Sequence, residues 1–448
     1  MHRKLFPAAL LLGAVIRTAA LLLPGTHDVD IWKIWTYAAA TRGATDVYGV
    51  GGSPPERRVI DFHGAETTVD YPPLALYELG AVGRVYRGLA GQAFPDTIAL
   101  TAAIKGLIVL AEIGLTVLTY AAVRRAATVE VARWSALAYW LNPAALLDGS
   151  VLGYLDPLFV LPASAALVAT VSRWPLLAGA LGAAAVLTKA QAIVLTPALA
   201  VAICAVRPAR DAMRGLLSAA TGAAIVSIAV VGPVVAAGAW PNLVQAMSQL
   251  ATHDMLSANA CNVWWIATYL LRTAYAVHDK GIWIAFTTPT RILGISRAVE
   301  LGYPNARTVG IVLTVAAMAW AVWTARRARD LWLTAALGAF LVHSYATLSA
   351  QVHENHLFAA VPLLAVAAAG RRRLIPVFVV VSAIFALNLN IFYGISEGIG
   401  YAIPRDVTII DLSVVLSVAN CAALAWHASI FSRECSTADA HRQSRVPA

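Results

Sequence analysis

Residues 98–125 read IALTAAIKGLIVLAEIGLTVLTYAAVRR, a long apolar run that ends in two arginines. A helix needs about 20 consecutive, mostly apolar residues to cross the hydrocarbon core of a bilayer. Basic residues next to such a helix mark its cytoplasmic end. The stretch therefore predicts a membrane-spanning helix whose C-terminal end faces the cytoplasm.

The composition of the whole chain agrees with this prediction. Of its 448 residues, 59% are hydrophobic and only 13% are charged, and the mean hydropathy is +0.70. A soluble domain has about one-quarter charged residues, so soluble classes are excluded. The net charge of +9 lies in small basic groups between apolar runs, which is typical of membrane anchoring rather than of nucleic-acid binding. The four cysteines have no metal or redox spacing and predict neither a disulfide nor a zinc site.

The apolar runs predict twelve spans and hence an all-α polytopic membrane protein. The first run, Leu5–Leu23, lacks an A-x-A cleavage signature before Pro24, which favours an uncleaved span over a signal peptide. The run over 174–206 is too long for one span, and we divide it at Thr188–Gln191. The other predicted spans cover residues 98–123, 134–147, 156–171, 216–237, 308–325, 331–349, 357–369, 374–392 and 407–431.

The positive-inside rule sets the predicted topology. With the N-terminus inside, every basic cluster falls inside, provided that Tyr71–Gly88 lies flat on the outer surface, because Glu78, Arg84 and Arg87 make it a poor span. Residues 1–430 then form one membrane domain and 431–448 a short polar cytoplasmic tail. The outside receives large loops at 24–97 and 238–306 and short ones near 148–156, 188–191, 351–356 and 394–406. The inside clusters are Arg124-Arg125-Arg133, Arg173, Arg207-Arg210-Arg214, Arg326-Arg327-Arg329, Arg371-Arg372-Arg373 and the tail from Arg433.

The first outer loop opens with THDVDIWKIW over residues 26–35. From about Val29 to Ala40 the pattern predicts an interfacial helix with Ile31, Trp32 and Trp35 toward lipid. Asp28 either caps this helix or acts as a general base that takes a proton from an acceptor hydroxyl. Asp30 would orient the acceptor or be solvated.

Two further segments carry acidic residues at predicted span ends. VDYPPL over 69–74 is a helix start, in which Asp70 and Tyr71 could also bind sugar hydroxyls. LNPAALLDGSVLGYLD over 141–156 places Asp148 and Asp156 at a glycine-punctuated turn. They are caps or site residues, and they are too few for a metal site.

Lys189 and Gln191 interrupt an apolar stretch, which makes the lysine a candidate for holding a lipid-carrier phosphate. The alternative is a lysine that snorkels to the interface. The second large loop offers polar donors beside aromatic rings that could equally belong to an interfacial belt. These residues are Thr252, His253, Asp254, Ser257, Asn259, Asn262, Trp264 and Trp265.

The segment QVHENH over 351–356 contains two histidines three residues apart. The H-E-x-x-H spacing that places two imidazoles on one helical face is absent. His353 and His356 could still face one cavity. They are interpreted as contacts to phosphate or sugar hydroxyls, with metal binding and a structural role as the alternatives.

Taken together, these motifs resemble the GT-C superfamily of membrane glycosyltransferases. The nearest pattern is that of the dolichyl-phosphate-glucose glucosyltransferases and their bacterial relatives. Asp28-Val29-Asp30 with Trp35 is similar to the family's acidic motif, and Asp70–Leu74 matches its D-Y-P-P-L segment. Asn262-Val263-Trp264 resembles its Asn-x-Trp element and His353–His356 its H-E-K-H element, whereas Asp148–Asp156 only loosely matches its H-G-H-F-Q-Y-N type segment. The resemblance extends over about residues 10–360.

The resemblance implies an inverting transfer of a hexose, mannose or glucose, from a polyprenyl-phosphate carrier, with Asp28 as the catalytic base. It implies no cofactor and no metal. The acceptor would be a lipid-linked glycan, a glycolipid or a protein, and the site would face the outside of the plasma membrane. The expected substrate-binding residues are Asp30, Asp70, Tyr71, Asp148, Asp156, Lys189, Gln191, Asn262, Trp264, His353, Glu354 and His356.

Two other functions compete with this interpretation. A secondary transporter or flippase of lipid-linked sugars would show internal repeats and ionisable residues at the membrane midplane. No repeat relates the two halves, and the polar motifs gather at one predicted boundary. A catalytically inactive subunit is disfavoured because Asp28, Asp30 and Asp70 are all present.

Overall fold

The computed structural model describes residues 5–49, 60–280, 288–326, 329–396, 398–407 and 409–443. Parts of the two predicted outer loops (50–59 and 281–287), Arg327 of one basic cluster and residues 444–448 of the predicted tail lie outside them. The described chain is mostly helical, as the sequence predicts. Its helices are α1 Leu5–Ala20, α2 His27–Thr41, α3 Pro73–Ala90, α4 Ile98–Ala126, α5 Val129–Trp140, α6 Pro143–Ala145, α7 Asp156–Val171, α8 Pro175–Thr188, α9 Thr196–Ala205, α10 Ala209–Ala236, α11 Trp240–Ala251, α12 Val263–Lys280, α13 Ile295–Glu300, α14 Ala306–Thr324, α15 Leu331–Leu348, α16 Ala360–Gly370, α17 Ile375–Tyr393 and α18 Leu412–Gln443.

Shorter elements complete the chain. A π-helix covers Leu146–Leu152. Two antiparallel strands, β1 Ile60–Phe62 and β2 Ala65–Thr67, form a hairpin in which Asp61 pairs with Glu66. Short 3-10 helices cover Asp46–Tyr48, Ala190–Leu195, Glu354–Leu357 and Arg372–Leu374.

Six helices of the described chain are long and apolar enough to cross a membrane, namely α4, α10, α14, α15, α17 and α18. Six shorter apolar helical segments of 10–17 residues accompany them, from Leu5–Ala20 to Glu354–Gly370. The predicted count of twelve spans stays a prediction. Exposed apolar side chains along α10, such as Leu217, Ile225 and Ile228, suit a surface that contacts lipid.

The break predicted at Thr188–Gln191 is present in the structure. Helix α8 ends at Thr188, Lys189 is extended, and a 3-10 turn begins at Ala190. Where a helix ends, its last backbone carbonyl groups have no hydrogen-bond partner within the helix. At this break they lie next to the charged side chain of Lys189. The break therefore brings polar groups to one place in the fold.

Helices α2 and α3, which belong to the first predicted outer loop, pack closely against each other. A Cβ atom at Gly83 would lie 2.6 Å from the Thr36 carbonyl oxygen and 2.7 Å from the Ala40 Cβ, so glycine permits this contact. The prediction that Trp32 and Trp35 face lipid is wrong, because their side chains are only 2% and 1% exposed. They are covered because that face of α2 packs into the protein. The flat surface orientation predicted for 71–88 stays a prediction.

Backbone hydrogen bonds connect the second predicted outer loop to the segment before α16. The Ala258 N–H donates to the Val352 carbonyl at 3.0 Å, and the Gln351 N–H donates to Leu256 at 2.9 Å. The aromatic stretch that begins at Trp264 lies in α12. At the other end of the chain, residues 431–443 of the predicted tail continue the last helix, α18.

Charged residues inside the apolar helices α1 and α4 have protein partners. The Arg17 guanidinium pairs with Glu112 at 3.0 Å and donates to the Trp140 carbonyl at 2.8 Å. The Lys105 ammonium donates to the carbonyls of Ala20, Leu23 and Val151 at 2.6, 3.0 and 2.9 Å. Because these charges are satisfied within the bundle, they fix α1 and the π-helix against α4.

Candidate functional site

A cavity of about 520 Å³ lies where five segments distant in sequence meet. They are the N-terminal part of α2, the start of α3, the break after α8, the stretch from α11 to His253, and the end of α15 with the turn before α16. A cavity of this size suits a sugar with its phosphate. The residues around it include Asp28, Ile31, Trp32, Trp35, Asp70, Tyr71, Pro72, Lys189, Gln191, Met247, His253, Tyr345, Ser349, Gln351, His353, Asn355 and His356.

Asp28 lies in the first turn of α2 and lines this cavity. The N-cap position belongs to Thr26, so Asp28 is not the N-cap residue. The pKa of Asp28 is raised from 3.8 to about 6, chiefly by burial and in part by the nearby Glu354 carboxyl. His353 and Lys189 oppose this rise. A carboxylate with a raised pKa is a stronger base, which suits proton abstraction near neutral pH.

Asp70 and Tyr71 line the same cavity, just before α3. Burial raises the pKa of Asp70, and His253 opposes that rise. The Tyr71 ring lies 5.2 Å from each of the Trp32 and Trp35 rings, centroid to centroid. The three rings form an aromatic wall beside the carboxylates, a combination that suits a sugar with one apolar face.

Asp156, predicted to bind substrate, is buried behind the cavity rather than at its surface. Its carboxylate accepts hydrogen bonds from Lys189 Nζ at 2.9 Å, Asn355 Nδ2 at 2.9 Å and Gln191 Nε2 at 3.0 Å. All three donors line the cavity. Asp156 therefore holds side chains from the break and from the turn before α16 in one arrangement.

Lys189 does not snorkel, because its side chain is only 8% exposed and pairs with Asp156. Its ammonium group lies 5.9 Å from the centre of the Tyr71 ring. A buried, positioned cation at the cavity wall can attract a phosphate group.

His353 and His356 both line the cavity, with ring centroids 5.5 Å apart. Burial lowers the pKa of His353 to about 4, although Asp28 opposes this shift. The imidazole is therefore neutral at pH 7 and can donate one hydrogen bond and accept another. Glu354, between them, does not line the cavity and accepts a hydrogen bond from the Tyr154 hydroxyl.

Four other predicted contacts lie away from this cavity. Asp30 is exposed and pairs with Lys33 at 3.2 Å. Asp148 is buried in the π-helix, where neither carboxylate oxygen has a hydrogen-bond partner among the described residues. Asn262 accepts from the backbone N–H groups of Trp264 and Trp265 at the start of α12. The Trp264 indole donates to the Leu348 carbonyl at 2.8 Å, so this motif fixes α12 rather than lining the cavity.

Several lining residues were not among the predicted contacts. Trp32 and Trp35 follow Asp28 at positions i+4 and i+7, which is the spacing of one helical face. That spacing indicated that both tryptophans share a face of α2 with Asp28, but the tryptophans were predicted to contact lipid. Nothing in the sequence alone distinguished His253 and Gln351 from their polar neighbours. The remaining lining residues that were not predicted include Met247, Tyr345, Ser349 and Asn355.

Among the described residues, no group of three or more His, Cys, Asp or Glu side chains could hold a metal ion. The expectation that the protein works without a metal or cofactor stays a prediction.

Comparison with known proteins gives a limited likeness. No protein-family model and no curated protein matches the chain. Two solved structures of the Archaeoglobus fulgidus oligosaccharyltransferase are similar to it, one tethered to an acceptor peptide and one in complex with an inhibitory peptide and a dolichol-phosphate. Each has a TM-score of 0.39 with 13% and 14% identity, covering 97% of this chain but only 55% and 56% of theirs. At this TM-score the likeness establishes neither a shared fold nor a shared activity.

Proposed function

We propose that the protein is a membrane glycosyltransferase of the GT-C type. It would move a hexose from a polyprenyl-phosphate carrier to an acceptor hydroxyl on the outer face of the plasma membrane. The observation that carries the proposal is the single cavity that unites Asp28 with Lys189 and His353. A candidate base and a candidate phosphate-binding group thus lie in one space of suitable size.

The reaction would be a single displacement at the anomeric carbon. The acceptor oxygen forms a bond to that carbon while the bond from the carbon to the carrier phosphate breaks, and its electron pair goes to the phosphate oxygen. Asp28 takes the acceptor proton. This proton later passes to water or to the released polyprenyl phosphate, which restores the base. The displacement inverts the anomeric configuration and needs no covalent enzyme intermediate.

The leaving group would be stabilised by charge and by hydrogen bonds. Lys189 keeps its positive charge next to Asp156, and this pair holds the ammonium at the cavity wall. His353 and His356 can donate hydrogen bonds to phosphate oxygens as negative charge develops on them. Trp32, Trp35 and Tyr71 would pack against the sugar ring.

The charge distribution favours a transferase over a transporter. Ionisable residues at the membrane midplane mark the pathway of a transporter. Here Arg17 is paired with Glu112, and Lys105 is bound to three backbone carbonyls. These side chains hold neighbouring helices together, and they do not line the cavity around Asp28. The cavity's ionisable groups, by contrast, lie at loops and helix ends.

The test is transfer of labelled hexose to extracted membrane acceptors by the purified protein, with polyprenyl-phosphate-mannose and polyprenyl-phosphate-glucose as separate donors. Incorporation from one donor would support the proposal and name the sugar. If neither donor gives incorporation while labelled lipid-linked sugar crosses reconstituted vesicles, the protein is a transporter and the proposal fails.

A further inference from the structure

A second cavity, of about 240 Å³, lies beside the first one at the outer loop. It is formed between α2, the β1–β2 hairpin and the segment that leads into α4. None of the predicted motifs accounts for it, although Asp30 belongs to its wall. The residues around it are His27, Asp30, Ile31, Lys33, Ile34, Phe62, His63, Ala65, Glu66, Thr67 and Asp96.

The two cavities share one wall residue, Ile31. Along α2, Asp28 and Trp32 face the first cavity, whereas His27 and Ile34 face the second. Because a helix turns about 100° per residue, these sets occupy neighbouring faces. The two cavities therefore adjoin at Ile31, one turn of α2 from Asp28.

We propose that the second cavity binds the sugar end of the acceptor, an uncharged glycan that extends one hydroxyl past Ile31 to Asp28. The proposal rests on the function proposed above. A single displacement requires both substrates to be bound at once, with the reacting atoms about 3–3.5 Å apart. One cavity would hold the donor sugar and its phosphate, and the neighbouring cavity would hold the acceptor.

The charges around the second cavity determine the class of ligand. Among the described residues that line this cavity, Lys33 is the one lysine or arginine, and it pairs with Asp30 at 3.2 Å and Asp96 at 3.1 Å. Together with Glu66, these groups place three carboxylates around one ammonium, beside the imidazoles of His27 and His63. A phosphate or another anion would be repelled. Carboxylates instead accept hydrogen bonds from neighbouring sugar hydroxyls.

The wall also has an apolar side. The Phe62 ring packs edge-on against His63, with centroids 4.5 Å apart, and Ile31 and Ile34 extend the surface along α2. A lining that combines apolar carbon with carboxylates suits a hexose, which presents both C–H groups and hydroxyls. The acceptor class is therefore a neutral, hydroxyl-rich glycan.

The experiment fills the cavity with a bulky side chain. Ala65 is exposed on β2, and Ala65→Trp would occupy the second cavity without entering the first. The matched control is Arg84→Trp, at an exposed position of α3 that lines neither cavity. We expect Ala65→Trp to raise the acceptor concentration for half-maximal transfer by about tenfold, equivalent to about 1.4 kcal/mol. The half-maximal donor concentration should change less than about twofold.

The wild type then provides an independent measurement. A methyl hexoside should inhibit transfer competitively with the acceptor. Hexose 6-phosphate should compete with the donor, whose sugar and phosphate it resembles, and not with the acceptor. An unchanged acceptor dependence in a folded Ala65→Trp protein would overturn the proposal while leaving the transferase intact. Competition of hexose 6-phosphate with the acceptor, as strong as that of the methyl hexoside, would overturn the assignment of an uncharged ligand. Absence of transfer by the wild type would instead remove the proposed function itself.

Discussion

At the residue scale, the environment of Asp28 predicts how transfer depends on pH. Its pKa of about 6 lies above the ordinary 3.8, chiefly because of burial. Since a base acts as the carboxylate, kcat/KM should be constant above pH 7 and fall about tenfold per pH unit below the pKa. Measuring kcat/KM from pH 4.5 to 8 checks this. A profile that stays flat down to pH 4.5 would contradict the assigned base.

Asp156 supports the second prediction at this scale. Asp156→Asn removes the charge that balances Lys189, although the new amide keeps the shape of the side chain. Removing one partner of a buried ion pair costs about 3–5 kcal/mol, because the other charge is left uncompensated. We expect a lower thermal unfolding temperature and a higher donor KM. Unfolding in detergent and donor titration measure the two effects.

A matched control separates this effect from general charge loss. Glu300 forms a surface pair with Arg297 in which both side chains are more than half exposed. Because such pairs contribute little, Glu300→Gln should leave stability and donor KM unchanged. If Asp156→Asn behaves like Glu300→Gln, the arrangement around Lys189 does not depend on Asp156.

At the element scale, the contact between α2 and α3 can be tested with two glycines of the same helix. Gly83→Ala would place a Cβ 2.6 Å from the Thr36 carbonyl oxygen, whereas a Cβ at Gly88 would meet nothing within 4 Å. We expect Gly83→Ala to destabilise the protein by about 1–3 kcal/mol and to reduce transfer, because α2 carries Asp28. Gly88→Ala should be neutral or stabilise α3 by up to about 1 kcal/mol. Thermal unfolding compares them, and equal stability of the two variants would contradict the close contact.

The sequence predicted some elements well and others poorly, for physical reasons. The C-terminal end of α8 and the start of α3 follow from local signals, namely the interruption at Lys189 and the prolines after Tyr71. The side on which Trp32 lies depends on α3 packing over α2, which is a contact distant in sequence. The π-helix around Asp148 likewise depends on buried neighbours, since the Ser150 hydroxyl donates to Glu112.

The residues of the candidate site were likewise partly predictable from the sequence and partly not. Asp28, Asp70, Lys189 and His353 are unusual polar residues beside apolar runs, so sequence patterns alone drew attention to them. Whether a polar side chain lines the cavity or is buried next to the lining residues depends on how the helices pack together. Asp156 and Glu354 show this, because both are buried and hold side chains rather than line the cavity.

At the scale of the whole molecule, the predicted topology makes a direct prediction. In a variant whose four cysteines are replaced, Asp46→Cys should react with a membrane-impermeant maleimide in intact cells. Arg125→Cys should react only after permeabilisation, because its basic cluster is predicted to lie inside. Both positions are exposed in the structure. Labelling in the reverse order would contradict the predicted orientation.

The central claim is that Asp28 is the base of a glycosyl transfer. The most direct test compares Asp28→Asn with Asp46→Asn, an exposed carboxylate of the same outer loop that lines neither cavity. Hexose transfer and binding of labelled polyprenyl-phosphate-hexose are measured on the same preparations. The account predicts that Asp28→Asn lowers transfer by about 100-fold or more while donor binding persists, and that Asp46→Asn changes neither. Undiminished transfer by Asp28→Asn would contradict the claim.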